Sequence, residues 1–219
     1  MIEKSSDTRE SYITLDHFAV GRVEEKKSIF IGWASPISSQ EDASRLIEKA
    51  KHQYPDATHH VYAWIMGGIV QQNKYSDDRE PAGTAGMPVF NVLSKNHIED
   101  GIIIVIRYFG GTLLGSGGLA RAYASAAVQA LNEAIPVCMR RCLTFSLKTS
   151  YSEFEKIKRA LTDQSFEISV NEYGSEIQAS ISCVENKRDI LLRLIADISN
   201  GRVLLEVEGS SYKKSLLVT

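Results

Sequence analysis

The chain has 219 residues, 43% of them hydrophobic and 24% charged, with a formal net charge of −2. That length holds one large domain or two small ones, and apolar positions spread along the whole chain exclude disorder on a large scale. So balanced a charge supplies no global field for nucleic acid, and no window approaches the roughly 18 consecutive apolar residues of a membrane span.

Residues up to about Arg9 are polar and read as loose, without the apolar core of a secretory signal. Between Tyr12 and Ile37 two strand-like pieces, His17 to Val23 and Ser28 to Ala34, flank the charged turn Glu24-Glu25-Lys26-Lys27 and predict a hairpin. Ser38 and Glu41 have the spacing of a capping box, and Ala43, Leu46, Ile47 and Ala50 share one face of the helix that follows and stops before Pro55. Ala57 to Met66 reads as an internal strand. A polar stretch from Gln71 to Glu80 leads to Pro81–Pro88, where the density of Pro and Gly excludes a regular element. A short helix, about Val89 to Asn96, then leads to the central segment.

That segment, GIIIVIRYFGGTLLGSGGLARAY from Gly101 to Tyr123, organises the first half. Ile102 to Ile106 is an apolar run without alternation, which suits a strand covered on both faces. Gly110, Gly111, Gly115, Gly117 and Gly118 crowd into a loop, and Leu119 to Ala134 reads as a helix. Pro136 and Arg140-Arg141 mark a boundary, giving domains 1–141 and 142–219. The second half reads as strand (Leu143 to Thr149), helix (Ser152 to Gln164), two strands (Phe166 to Glu172, Glu176 to Val184), helix (Asn186 to Ser199) and strand (Gly201 to Glu208). This β-α-β-β-α-β order is ferredoxin-like, so the fold class is α+β.

The glycine loop has no P-loop lysine, and it fits a dinucleotide fingerprint only nominally. Its backbone amides near Gly117 and Gly118, with Arg107 or Arg121, form a candidate anion cradle; the alternative is that the glycines permit a sharp turn and close helix–sheet contact. Asp77, Asp78 and Glu80 are candidate Mg²⁺ ligands or acid and base, with His59 as a further member of that set; the preferred reading is a solvated turn whose acids cap amides or pair with Arg79. His59 and His60 point to opposite faces of their strand and cannot jointly chelate a metal. Tyr108 and Phe109 beside Arg107 resemble a base-stacking set, although packing accounts for at least one of them. Cys138, Cys142 and Cys183 form no CxxC pair and read as reduced thiols of a cytosolic protein; a zinc half-site at Cys138 and Cys142 has no matching half.

The blocks ATHHVYAW, SDDREPAGTAGMP and RYFGGTLLGSGGLARAY, in this order and spacing, resemble the signature of the Impact/YigZ family over residues 10 to 135. The later β-α-β-β-α-β unit is similar to the carboxy-terminal domain of its bacterial members. The resemblance implies a first domain like the second domain of a small-subunit ribosomal protein and domain IV of elongation factor G. It implies a second domain like domain V of that factor. Eukaryotic members regulate translation by competing for the large activator of the amino-acid-starvation kinase, a partner that a bacterium lacks. His59, Asp77, Asp78, Glu80, Thr84, Arg107, Tyr108, Gly110, Gly111, Gly115, Gly117, Gly118 and Arg121 fall on the family blocks. Arg79 departs from the family by standing where DDGEP has Gly, and Ile29 by standing where a KKSRF-like block has Arg.

These readings converge on a non-catalytic cytoplasmic binding protein that regulates translation through RNA, the ribosome or a translation-related protein. The residues on the family blocks, from His59 to Arg121 as given above and without Arg79 and Ile29, would form its ligand-binding surface, with no cofactor, metal or membrane involved and the oligomeric state left open. One alternative is a metal-assisted hydrolase using Asp77, Asp78, Glu80 and His59. A further alternative is a pure protein-interaction module.

Overall fold

The computed structural model describes residues 9–164 and 166–215. The stretch expected to be loose therefore lies, up to position 8, outside the described residues. The chain divides into two compact units, Tyr12–Cys138 on one side and Arg9–Ser11 with Met139–Ser215 on the other. The division falls inside a single strand, β7 (Pro136–Thr149), just before the boundary read from the sequence.

The first unit contains all of β1 (Ser11–Leu15) but its first residue, then β2 (Ala19–Glu25), β3 (Ser28–Pro36), α1 (Gln40–Gln53), β4 (His59–Met66), β5 (Gln72–Ser76), α2 (Gly86–Lys95), β6 (Gly101–Tyr108) and α3 (Gly115–Glu133). Its sheet runs β2-β3-β6-β4-β5, and each of these pairings is antiparallel. The apolar run of β6 is buried from Ile102 to Ile106. Ile102, Ile104 and Ile106 pack with Trp33, Trp64 and the Ala43, Ile47 and Ala50 face of α1. Ile103 and Val105 pack instead with Val89 of α2 and with Leu119, Tyr123 and Ala126 of α3. A continuous β-branched run is what a strand between two helical layers requires, because neither of its faces meets water.

Several boundaries differ from the sequence reading. The hairpin turn is only Lys26-Lys27, both left-handed at φ 46° and 68°, as a two-residue connection with the twist of its strands requires. The helix cap is Ser39, whose hydroxyl accepts from Asp42 N at 3.1 Å, while Asp42 reaches back to Ser38 N at 3.0 Å; the capping box is thus one residue later than Ser38 and Glu41. The Ser38 hydroxyl and main-chain amide hold the Asp42 carboxyl down at about 2. β1 and the polar edge strand β5 were not foreseen, since β5 is almost wholly exposed and carries no apolar alternation. α2 starts inside the Pro/Gly run, with Pro88 in its first turn, where a missing N–H costs nothing. α3 likewise starts at Gly115, so Gly115, Gly117 and Gly118 belong to its first turn and the loop proper ends at Leu114.

The second unit holds most of β7, then α4 (Tyr151–Asp163), β8 (Glu167–Tyr173), β9 (Ile177–Val184), a 3-10 turn (Glu185–Lys187), α5 (Arg188–Ser199) and β10 (Leu205–Ser215). β7 pairs with β9 and β9 with β8, both antiparallel, and β10 lies on β7. Phe145, Leu147, Ile181 and Cys183 turn to Phe154, Ile157, Leu191 and Ile195 of the helices. The last strand begins later than Gly201, because Asn200 and Gly201 close α5 in left-handed conformations.

Asp78 and Arg79 also take left-handed backbone, at φ 41° and 71°. Arg79 therefore adopts the geometry that glycine provides at this place in the family pattern, and it carries strain that glycine would not. Relief of roughly 1–2 kcal/mol of left-handed strain exceeds the roughly 0.5–1 kcal/mol of extra chain entropy that glycine brings. The Arg79→Gly variant should gain about 0.5–1 kcal/mol, read as a higher urea midpoint at unchanged slope.

Candidate functional site

The alternation of β6 that sends Ile103 and Val105 toward α2 and α3 sends Arg107 there too, at the end of the strand. Arg107 lies opposite Phe30 on β3 and His59 on β4, so the three form a row across the sheet. The guanidinium centre is 5.4 Å from the Phe30 ring and 5.5 Å from that of Phe109, and Arg107 is only 4% exposed. Its charge is met by Glu80, also buried: Arg107 Nη1 donates to Glu80 Oε1 at 2.5 Å. The Tyr123 hydroxyl, from α3, donates to the same oxygen at 2.7 Å, and His59 Nε2 stands 3.5 Å away. His59 Nδ1 lies 2.7 Å from the Asp78 carbonyl. Burial, and then the Glu80 carboxylate, push the Tyr123 hydroxyl far above the ordinary tyrosine range, so it remains a donor.

Arg107 also fixes the glycine loop. Its Nη2 donates to the Ser28 hydroxyl at 3.4 Å, and Gly110 N donates to that hydroxyl at 3.1 Å. A Cβ at Gly110 would lie 2.1 Å from the Lys27 carbonyl carbon, so only glycine lets the loop approach the β2–β3 turn this closely. Phe109 N donates to Thr58 Oγ1 at 3.2 Å. These two amides are consequently not open to a ligand. Arg107 Nε is buried without a partner among the described residues.

The acidic segment is consumed by the backbone around it. Asp77 Oδ1 accepts from Gly86 N at 2.7 Å and Ala85 N at 3.0 Å, and Oδ2 accepts from Gly83 N at 2.8 Å. Asp77 thereby caps the start of α2. Burial works to raise its carboxyl, but the N–H groups of Gly83, Gly86 and Ala85 outweigh burial and hold it below the ordinary range. Asp78 Oδ2 accepts from His60 N at 2.6 Å, and Arg79 stands 3.9 Å from the other oxygen. Thr84 donates its hydroxyl to the Pro81 carbonyl at 2.6 Å. The carboxylates of Asp77, Asp78 and Glu80 therefore serve an amide cluster, a strand amide and an arginine; of the three only that of Glu80 lies against His59, and they do not converge on one pocket. Among the described residues no group of three or more His, Cys, Asp or Glu is placed to hold a metal. His60, facing the other way, turns its Nε2 to the Tyr54 carbonyl at 3.1 Å.

The start of α3 is different. Leu114 occupies the cap position and supplies no side-chain hydrogen bond, and Gly115, Ser116 and Gly117 are exposed. Arg121, also exposed, carries its Nη1 over Gly117, 3.5 Å from where a Cβ would stand. A cleft of about 310 Å³ lies between this turn and the β2–β3 hairpin, lined by Lys26, Glu25, Leu114, Gly118 and Arg121 among others. Gly111 is left-handed at φ 81°, and Tyr108 donates its hydroxyl to Asp56 Oδ1 at 2.9 Å. The sequence reading thus grouped residues that the fold separates. His59, Glu80 and Arg107 form a buried network, to which Ser28 and Tyr123 must be added, while Gly115, Gly117, Gly118 and Arg121 form an open surface. Tyr123 ends the block RYFGGTLLGSGGLARAY that resembles the family signature, yet it was not among the candidate site residues; nothing marked Ser28.

Removing Glu80 strands a buried guanidinium, so Glu80→Ala should cost about 3–5 kcal/mol in urea unfolding. Asp77→Asn should lose about 1 kcal/mol at neutral pH, the usual size of a lost cap. Because the Asp77 carboxyl is depressed in the folded chain, its contribution is full above the unfolded value near 4 and disappears as pH falls through the folded value. The variant's stability should accordingly converge on that of the parent in acid, as followed by urea midpoints from neutral pH downward.

The family model described as the Impact N-terminal domain matches residues 26–131. The chain is 31% identical over 192 residues to the IMPACT family member YvyE of Bacillus subtilis, covering 88% of each chain. It is 33% identical over 190 residues to the IMPACT family member YigZ of Escherichia coli, covering 85% of this chain and 93% of that one. A crystal structure described as that of a hypothetical protein is similar at a TM-score of 0.58 and 30% identity, over 90% of this chain and 97% of that one. With such identity across most of its length, this chain belongs to the IMPACT family.

Proposed function

We propose that this IMPACT family member is a non-catalytic cytoplasmic binding protein that regulates translation through RNA, the ribosome or a translation-associated protein. The observation that carries the reading is the first turn of α3. Its amides are exposed without a side-chain cap, and Arg121 beside them has no acidic partner among the described residues. Helix amides with an adjacent cation suit a phosphate. Lys26 adds a second cation across the cleft, against one opposing acid, Glu25.

The domain likenesses implied by the family support the same reading. We read the first unit as akin to the ribosomal-protein domain and to domain IV of elongation factor G. We read the second, with sheet order β10-β7-β9-β8, as ferredoxin-like and akin to domain V. A fold alone assigns no role, so the weight rests on the surface. Among the described residues no helix is long and apolar enough to cross a membrane.

A second reading, a protein-interaction surface, is favoured by two apolar side chains on the same loop. Phe109 is 46% exposed and Leu113 84% exposed. Titration of the full chain with a fluorescent single-stranded RNA at rising salt separates the two. RNA binding should weaken with salt, and Arg121→Glu should weaken it further while lowering the salt slope by about 1. Absence of binding by the parent chain at low salt overturns the nucleic-acid form and leaves the protein-partner form.

A further inference from the structure

The second unit contains a cavity that the glycine loop does not reach and that the family motifs do not touch. It has a volume of about 240 Å³ and lies where the start of β7, the end of β9, the start of β8 and the end of β10 meet. Arg140, Lys187, Lys213 and Lys214 line it, against one carboxylate, Glu167. In a chain whose formal net charge is −2, this is a marked local excess of positive charge. Lys213 is bridged to Glu167 at 2.6 Å. Arg140 and Lys187 have no acidic partner among the described residues, and Lys187 stands 5.7 Å over the Phe166 ring. The thiols of Cys142 and Cys183 complete the wall; burial pushes both up, so they stay neutral and do not offset the cations.

The cavity continues into a trough of about 280 Å³ over the face of the sheet opposite the helices, sharing Glu167, Ser182 and Lys213 with it. This trough is built from hydroxyls. Thr144 lies opposite Ser182 and Ser169 opposite Ser180, with Ser211 from β10 beside them. Small side chains on the middle strands, between longer ones, leave the concavity. The charges of Arg140 and Lys187, held in one cavity, repel one another, and an arriving anion relieves that repulsion. Hydroxyls that donate and accept suit sugar hydroxyls, and the trough lining contains no aromatic ring on which a base could stack.

We propose that this cavity and trough bind a phosphorylated ribose, with the phosphate between Arg140, Lys187 and Lys213 and the sugar hydroxyls along Ser182, Ser180 and Thr144. The site lies wholly in the second unit and does not rest on the reading of the α3 start. The phosphate can come from a free ribonucleotide or from the end of an RNA strand.

Calorimetric titration of the full chain at low salt with AMP, with adenosine and with a 5′-phosphorylated oligouridine separates these. AMP or the oligouridine should bind and adenosine should not. The Arg140→Gln/Lys187→Gln double variant should weaken binding by at least about ten-fold, the loss of a charge-assisted hydrogen bond or more. Glu167→Gln, which removes the opposing acid and releases Lys213, should tighten binding, a direction that damage to the fold would not produce. Arg121→Glu should leave AMP binding unchanged, so that failure at one site is told apart from failure at the other. Binding by the oligouridine but not AMP, lost in the double variant and kept in Arg121→Glu, assigns the phosphate to RNA; binding by AMP, lost in the double variant, assigns it to a free nucleotide. Equal affinity for adenosine and AMP, unchanged affinity in the double variant, or no binding of either phosphorylated probe overturns the proposal.

Discussion

The buried pair of Glu80 and Arg107 is the constraint around which the first unit is assembled. Two opposite charges taken out of water lose hydration that their mutual attraction repays only if the remaining hydrogen-bonding capacity is also met. Here that capacity is met in part: Glu80 Oε1 receives both Arg107 Nη1 and the Tyr123 hydroxyl, and Arg107 Nη2 turns to Ser28, while Arg107 Nε has no partner among the described residues. Each partner comes from a different piece of chain: the loop before α2, strand β6, helix α3 and the turn that opens β3. The pair therefore works less as a source of stability than as a fixed point at which these pieces must meet in one arrangement. Through Ser28 it reaches Gly110, and through Gly110 it sets where the chain leaves β6 for α3.

What could be read in the sequence follows from how local each signal is. The run Ile102 to Ile106 announced a strand between two layers because burial on both faces leaves an unbroken apolar string. The Ala43, Ile47 and Ala50 stripe announced α1 for the same reason in helical period. The edge strand β5 was invisible because an exposed edge needs no apolar face, and its five residues are defined by pairing with β4 alone. The start of α3 was misplaced because glycines discourage a helix in isolation; here the packing of Leu119, Ala122, Tyr123 and Ala126 on the sheet carries the helix back to Gly115. The tie between Glu80 and Tyr123 joins positions 43 apart, beyond the reach of any periodicity.

The acidic run shows why residue type alone misleads. Asp77, Asp78 and Glu80 stand within four positions, a spacing from which a metal-binding set can be drawn as well as a capped turn. The backbone decides otherwise: left-handed conformations at Asp78 and Arg79 turn the three carboxylates in separate directions. Asp77 is then spent on amides at the start of α2, Asp78 on His60 N and Glu80 on Arg107. A carboxylate already neutralised by several donors is a poor ligand for a cation, since binding one would first have to strip those donors away. The segment is a folding device, and it is the same device that positions the loop above it.

By the same reasoning, a surface available to a partner is made of what the fold leaves unspent. In the first unit the amides of Phe109 and Gly110 are taken by Thr58 and Ser28, whereas the first turn of α3 and Arg121 are not engaged by any side chain among the described residues. In the second unit Arg140 and Lys187 likewise form no ion pair with an acidic side chain among the described residues. Both places leave positive character, one from aligned peptide dipoles and one from side chains, in a chain that is slightly acidic as a whole. The fold spends neither the first turn of α3 nor the cations of Arg140 and Lys187 on a carboxylate among the described residues, and that is why the two proposals above place an anion at each.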